Sequence, residues 1–96
     1  MLCRLAQLQF REVIGLSDGA RLGTVGDVEV DTDTGRVSAL VLMPEWSLRS
    51  LFGAGEERIV RWEDVERIGD EYILARRAAV RQKPRKDDLP RRTGRV

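Results

Sequence analysis

From Arg11 onward, apolar and polar positions come in short runs, and several runs keep a period of two. In "GDVEVD", Gly26 to Asp31, Val28 and Val30 alternate with Asp27, Glu29 and Asp31. Successive side chains of a strand point to opposite faces, so this stretch reads as a half-buried strand, apolar inside and acidic outside. Turn signals separate it from its neighbours. "SDG", Ser17 to Gly19, joins it to "REVIGL", and "DTDTGR", Asp31 to Arg36, joins it to "RVSALVLM". Asp and Thr cap such turns locally, and glycine accepts their positive φ. Gly23 and Gly26 interrupt the second run and predict bends or bulges where a sheet curls.

The third run, Val37 to Met43, is apolar on both faces: Val37, Ala39, Val41 and Met43 on one, Leu40 and Leu42 on the other. A strand with one face in water alternates, so something covers the second face, either the sheet itself or an outside partner. "ERIVRW" reads as a fourth strand. "WEDVERI" suggests one helical turn with Glu63 and Asp64 near its positive end, and "GDEYILA" gives a last strand. Short strands with tight turns predict an all-β fold, a small antiparallel barrel of five to six strands.

Between the third and fourth runs lies "EWSLRSLFGAGEE", Glu45 to Glu57. It has loop composition yet carries Trp46, Leu48, Leu51 and Phe52. Loops normally lie in water. Two readings compete. The loop folds back as a flap over an open barrel end, or it joins the two-faced strand in one apolar patch too large for a monomer to expose. Trp and Phe are typical interface anchors. The second reading makes Leu40, Leu42, Trp46, Leu48, Leu51 and Phe52 the candidate contact residues over loop 44–56 and strand 37–43, with a symmetric homodimer the simplest partner.

Charge divides the chain. Residues 1–75 carry 8 basic and 14 acidic side chains, whereas residues 76–96 carry 9 basic and 2 acidic. The second segment also holds Pro84, Pro90 and Gly94, with little aliphatic content past Val80. Such a segment cannot bury enough apolar surface to offset its ordering entropy. The expectation is a folded domain over 1–75 and a disordered basic tail over 76–96, with residues 76–80 able to continue as a short helix. Arg76, Arg77, Arg81, Lys83, Arg85, Lys86, Arg91, Arg92 and Arg95 are its candidate polyanion contacts. Asp87 and Asp88 interrupt the run and no aromatic is available for base stacking, so only weak, sequence-independent nucleic-acid binding is expected.

The residue inventory narrows the chemistry. There is no histidine and a single cysteine, Cys3. The usual general base, the histidine-paired nucleophiles and a cysteine–histidine zinc site are therefore missing. The acidic set Asp27, Glu29, Asp31 and Asp33 does not fit a calcium loop, because glycine and the closing glutamate fall at the wrong positions. Glu56, Glu57, Glu63 and Asp64 read as surface charge rather than paired catalytic acids. No phosphate-binding glycine loop is present. The reading is a non-enzyme with no cofactor and no membrane span, in a reducing, cytoplasmic setting.

The order of these features resembles the PRC-barrel family. "REVIGLSDGARLGTVGDVEVDTDTGRVSALVL" is similar to that family's opening strands, and "IVRWEDVERIGDEYILA" to its closing segment. The apolar middle loop ending in Phe52-Gly53 resembles a short stand-alone subgroup associated with endospore-forming bacteria. The resemblance spans roughly Leu5 to Leu74. It implies a six-stranded, partly open barrel, no catalytic residues, and a docking role associated with sporulation. The alternative is a nucleic-acid or ribosome-associated protein acting through the basic tail.

Overall fold

The computed structural model describes residues 2–43 and 55–83. Its elements are a short helix α1 (Leu5–Leu8), then β1 (Glu12–Gly15), β2 (Arg21–Asp31), β3 (Arg36–Met43) and β4 (Glu56–Arg61). A single 3-10 turn at Trp62–Asp64 follows, then β5 (Val65–Ile68), β6 (Tyr72–Ala75) and β7 (Ala79–Gln82). One sheet holds all seven strands in the order β5-β6-β1-β2-β3-β4-β7. Every pairing is antiparallel except β1 with β6, which is parallel.

A geometric constraint shows that this sheet is coiled. β6 and β7 stand five positions apart in strand order, about 24 Å if flat at the usual strand spacing. Only residues 76–78 link Ala75 to Ala79, and four extended steps span at most about 14 Å. The sheet must therefore curl until its two ends approach, which is the partly open barrel expected from the sequence.

The core lies inside that curl. Leu8, Val13, Val25, Leu40, Leu42, Val60, Ile73 and Ala75 form one buried cluster, with Leu22, Val28, Val65, Ile68 and Ala78 packed around it. It is wholly aliphatic. Leu8 enters from α1, whose backbone then turns at Phe10. Phe10 has φ 67°, a left-handed conformation costly for a bulky residue. The Phe10 amide donates to Val25 O at 2.8 Å, and the Val25 amide to Arg11 O at 2.9 Å, which sews the entry of β1 to β2. Arg11 Nη1 donates to Gly69 O at 2.5 Å and fixes the β5–β6 turn to the same corner.

The turns follow the local chemistry of the sequence. Gly19 (φ 69°) closes the first and Gly35 (φ 74°) the second. Asp31 Oδ1 accepts from the amides of Asp33 (2.9 Å) and Thr34 (3.4 Å). β2 is bulged where glycine predicts it, with a register shift between Val25 and Asp27. A Cβ on Gly26 would lie 2.3 Å from Met43 Cγ, and one on Gly23 (φ 141°) 2.9 Å from Met43 O. Both glycines let β2 pass close beneath the end of β3.

Two expectations are corrected. Residues 79–82 are not a helical extension but the edge strand β7, paired to β4 from Glu56↔Gln82 to Ile59↔Ala79. Ala79-Val80-Arg81-Gln82 alternates short apolar with polar side chains, and cross-strand pairing outweighs the weak helical preference of "RRAAV". The sheet accordingly has seven strands, and order extends past residue 75. The second correction concerns Leu40 and Leu42, which are 0% and 3% exposed. They are core residues rather than contact residues, because β3 lies between β2 and β4 and its inward row must fill the barrel.

Candidate functional site

The outward face of β3 carries Val37, Ala39, Val41 and Met43, the row opposite the core. Ala39 is 2% exposed and Ile59, the β4 partner of Val41, is 4% exposed, although neither belongs to the core cluster. Both line a groove shared with Glu29 and Arg81. Arg81, on β7, donates through Nε to Glu57 Oε1 on β4 at 2.8 Å. Its Nη1 donates to Glu29 Oε1 on β2 at 3.1 Å, and its Nη2 to the other oxygen of the same carboxylate. One guanidinium thus bridges three strands.

The electrostatics follow from this contact. The hydrogen bonds from Arg81 hold the Glu29 carboxyl below its ordinary range; partial burial opposes this, while the Arg81 charge and a hydrogen bond from Ser38 add to it. Arg81 is correspondingly shifted upward, chiefly by its bond to Glu29. Its side chain is 31% exposed and Glu57's is 12% exposed. A two-pronged, half-buried pair of this kind contributes on the order of 1 kcal/mol after solvent screening. Beside it runs an open groove of about 320 Å³ lined in part by Ser38, Ala39, Ile59, Arg61 and Glu63.

The remaining candidate residues are dispersed. Arg76 pairs with Glu66 at 2.7 Å and Arg77 with Asp64 at 3.6 Å. Lys83 is exposed at the end of β7, and its amide donates to Gly55 O at 2.7 Å. Arg85, Lys86, Arg91, Arg92 and Arg95 lie outside the described residues, as do Trp46, Leu48, Leu51 and Phe52. The carboxylates of the β2 run are individually engaged: Asp27 Oδ1 accepts from the Val28 amide at 2.8 Å, Glu29 binds Arg81, and Asp31 binds its own turn. Among the described residues no cluster of three or more His, Cys, Asp or Glu side chains could hold a metal ion. Cys3 is exposed. No helix among the described residues is long and apolar enough to cross a membrane.

The described aromatics are all at the surface. Phe10 is 70% exposed, Tyr72 47% and Trp62 40%. Met43, where β3 ends, is 41% exposed. Reading the sequence missed Arg81 as a bridge and Val80 as an edge residue. The alternation of Ala79 to Gln82 was the signal for the strand. No local signal ties Arg81 to Glu29, which is 52 positions away.

Comparison with known proteins agrees with this architecture. The family model of the PRC-barrel domain matches residues 4–81, a span that includes most of β7. The chain is 31% identical over 72 residues to "Probable sporulation protein YlmC" of Bacillus subtilis, covering 75% of this chain and 89% of that protein. It is 32% identical over 63 residues to an uncharacterized protein of Clostridium acetobutylicum, 66% of this chain and 71% of that one. To the uncharacterized protein YmxH of Bacillus subtilis it is 30% identical over 73 residues, 74% and 85% of the two chains.

Proposed function

Since this chain belongs to the PRC-barrel domain family, we propose that it acts as a non-enzymatic docking module in a sporulation-associated process. The observation that carries this reading is the distribution of large apolar side chains. Among the described residues the core cluster is aliphatic throughout, while Phe10, Trp62, Tyr72 and Met43 lie at the surface. Amphipathic aromatic rings on a surface are the usual anchors of protein contacts. The similarity to a protein named as a probable sporulation protein supports the process.

The docking surface is the exposed end of β3 at Met43 together with segment 44–56. That segment brings Trp46, Leu48, Leu51 and Phe52 directly after Met43 in sequence. Its simplest occupant is a second copy of the chain, and a different protein is the alternative. Leu40 and Leu42 take no part, being enclosed in the core.

Light scattering on the full chain, compared with a Trp46→Ser, Phe52→Ser double variant, tests this. Burial of each such side chain is worth roughly 1.5–3 kcal/mol. The double variant is expected to shift a dimer to monomer while the β-type circular dichroism persists. A wild type that stays monomeric at high concentration overturns self-association, and a double variant that unfolds assigns those side chains to the core.

A further inference from the structure

One run of chain serves both ends of the sheet. β1 is antiparallel to β2, β2 to β3, β3 to β4 and β4 to β7, so β7 runs in the direction of β1. β6 is parallel to β1 and therefore runs that way too. Consecutive strands of a meander reverse at a turn, and β6 and β7 do not. Tyr72 to Gln82 is a single course of chain that pairs first with β1 and β5 and then with β4, with only residues 76–78 between.

The two halves of this course are held differently. The link is pinned: the Arg76 amide donates to Asp64 O at 2.8 Å, Arg76 pairs with Glu66 and Arg77 with Asp64, and Ala78 packs against the core. Beyond it, among the described residues, no side chain of β7 belongs to the core cluster or packs around it, and Val80 is 58% exposed. β7 is held by its ladder to β4, from Glu56↔Gln82 to Ile59↔Ala79, and by the bonds of Arg81 to Glu57 and Glu29. Every partner just named lies on β2 or β4, and none on the strand that delivers β7.

That division is the condition for exchanging an element between copies, a low-cost route to dimers. Redirecting β7 at the Ala78–Ala79 step undoes no reverse turn and empties no position of the core cluster. We propose that two copies of this chain exchange β7, so that residues 79–82 of each pair with β4 of the other. Arg81 of one copy then binds Glu57 and Glu29 of the other. The groove of about 320 Å³ likewise takes one wall, Ala79, Val80 and Arg81, from its neighbour. The closed and exchanged forms make the same contacts, so concentration decides between them. The tethered strand wins in dilute solution through its effective concentration, and the exchanged strand at high concentration.

Disulfide trapping tests this. Glu56 and Gln82 are opposed across the β4–β7 ladder, at a spacing that a disulfide spans. Two full-length variants, Glu56→Cys and Gln82→Cys, each carry Cys3→Ser so that no other thiol is present. They are unfolded, mixed, refolded together at high concentration, oxidised and digested, and mass spectrometry identifies the linked peptides. A disulfide from position 56 of one chain to position 82 of the other is expected, and it is lost when the mixture is refolded dilute. A concentrated mixture with no link, or with only 56–56 and 82–82 links, overturns the proposal. A chain carrying both substitutions, refolded dilute, is expected to link within itself, which shows that the two positions are in reach. Because β7 has to leave β4 before it can cross, exchange accompanies refolding. Light scattering on protein that was never unfolded therefore reads docking by segment 44–56 separately. Should the cysteine variants not fold, the wild type decides. A dimer formed on concentrated refolding and reverting slowly after dilution is expected; one that separates at once, or no dimer at all, overturns the exchange.

Discussion

Arg81 and Glu29 are separated by two intervening strands and are nonetheless joined by a two-pronged ion pair. Three strand spacings in a flat sheet amount to about 14 Å, beyond the comfortable reach of the two side chains. The bulges in β2, between Val25 and Asp27 and between Glu29 and Val30, bend the β2–β3 hairpin and close that distance, since an extra residue on one strand bends it and strengthens its twist. The pair in turn holds the edge strand β7 to the body of the sheet.

This pair predicts a specific pH dependence. The Glu29 carboxyl is held below its ordinary value of 4.5 in the folded state. Its contribution is therefore complete above that value and is lost as pH falls through the folded-state pKa, because the unfolded chain then binds the proton first. Glu29→Gln should lower the melting temperature at neutral pH and flatten its decline below about pH 4.5. Arg81→Met should cost about 1–2 kcal/mol at neutral pH, since it leaves two carboxylates without their donor. Thermal denaturation across a pH series measures both effects. A Glu29→Gln variant as steep as the wild type below pH 4.5 would contradict this account.

Leu40 provides a second test. It is 0% exposed and opposes Val60 on β4. Truncation to alanine removes buried methyl groups and leaves a cavity, a change that typically costs about 2–5 kcal/mol. Urea denaturation of Leu40→Ala should show that loss. If Leu40 served an interface instead, the variant would change oligomeric state at unchanged monomer stability.

Phe10 supplies a third. Its backbone is left-handed and its ring is 70% exposed, so the strain is not offset by deep burial of the ring. Asparagine tolerates this conformation better. Phe10→Asn should leave stability unchanged or raise it by up to about 1 kcal/mol. A large loss in calorimetry would show instead that the ring packs against the barrel.

Much of this barrel can be read from the chain because its signals are local. The alternation of Val28 and Val30 with carboxylates, the glycines at 19 and 35, and the bulge at Gly26 each depend on neighbours in sequence. The features that cannot be read so depend on partners far apart. Both faces of Val37 to Met43 are apolar, and the pattern does not say that it is the Leu40 and Leu42 row that fills the core. The basic character of residues 76–83 hides a strand, because the carboxylates that neutralise Arg76, Arg77 and Arg81 lie on β2, β4, β5 and the 3-10 turn.

The parallel pairing of β1 with β6 bears on how the molecule comes into being. Val13 and Ile73 are partners, and four of the seven strands, β2 to β5, lie between them in chain order. As the chain leaves the ribosome, β1 can pair with β2 early through the Gly19 turn, but its other side waits for almost the last strand. Until then the nascent sheet exposes the apolar groove that Ile73 and Ala75 will fill. Sheets that close through such distant contacts fold slowly, over about milliseconds to seconds, and their unpaired strands invite misassembly in the interval. Truncation before β6 should therefore yield an aggregating intermediate rather than a smaller stable barrel, which makes the chain an all-or-none folding unit.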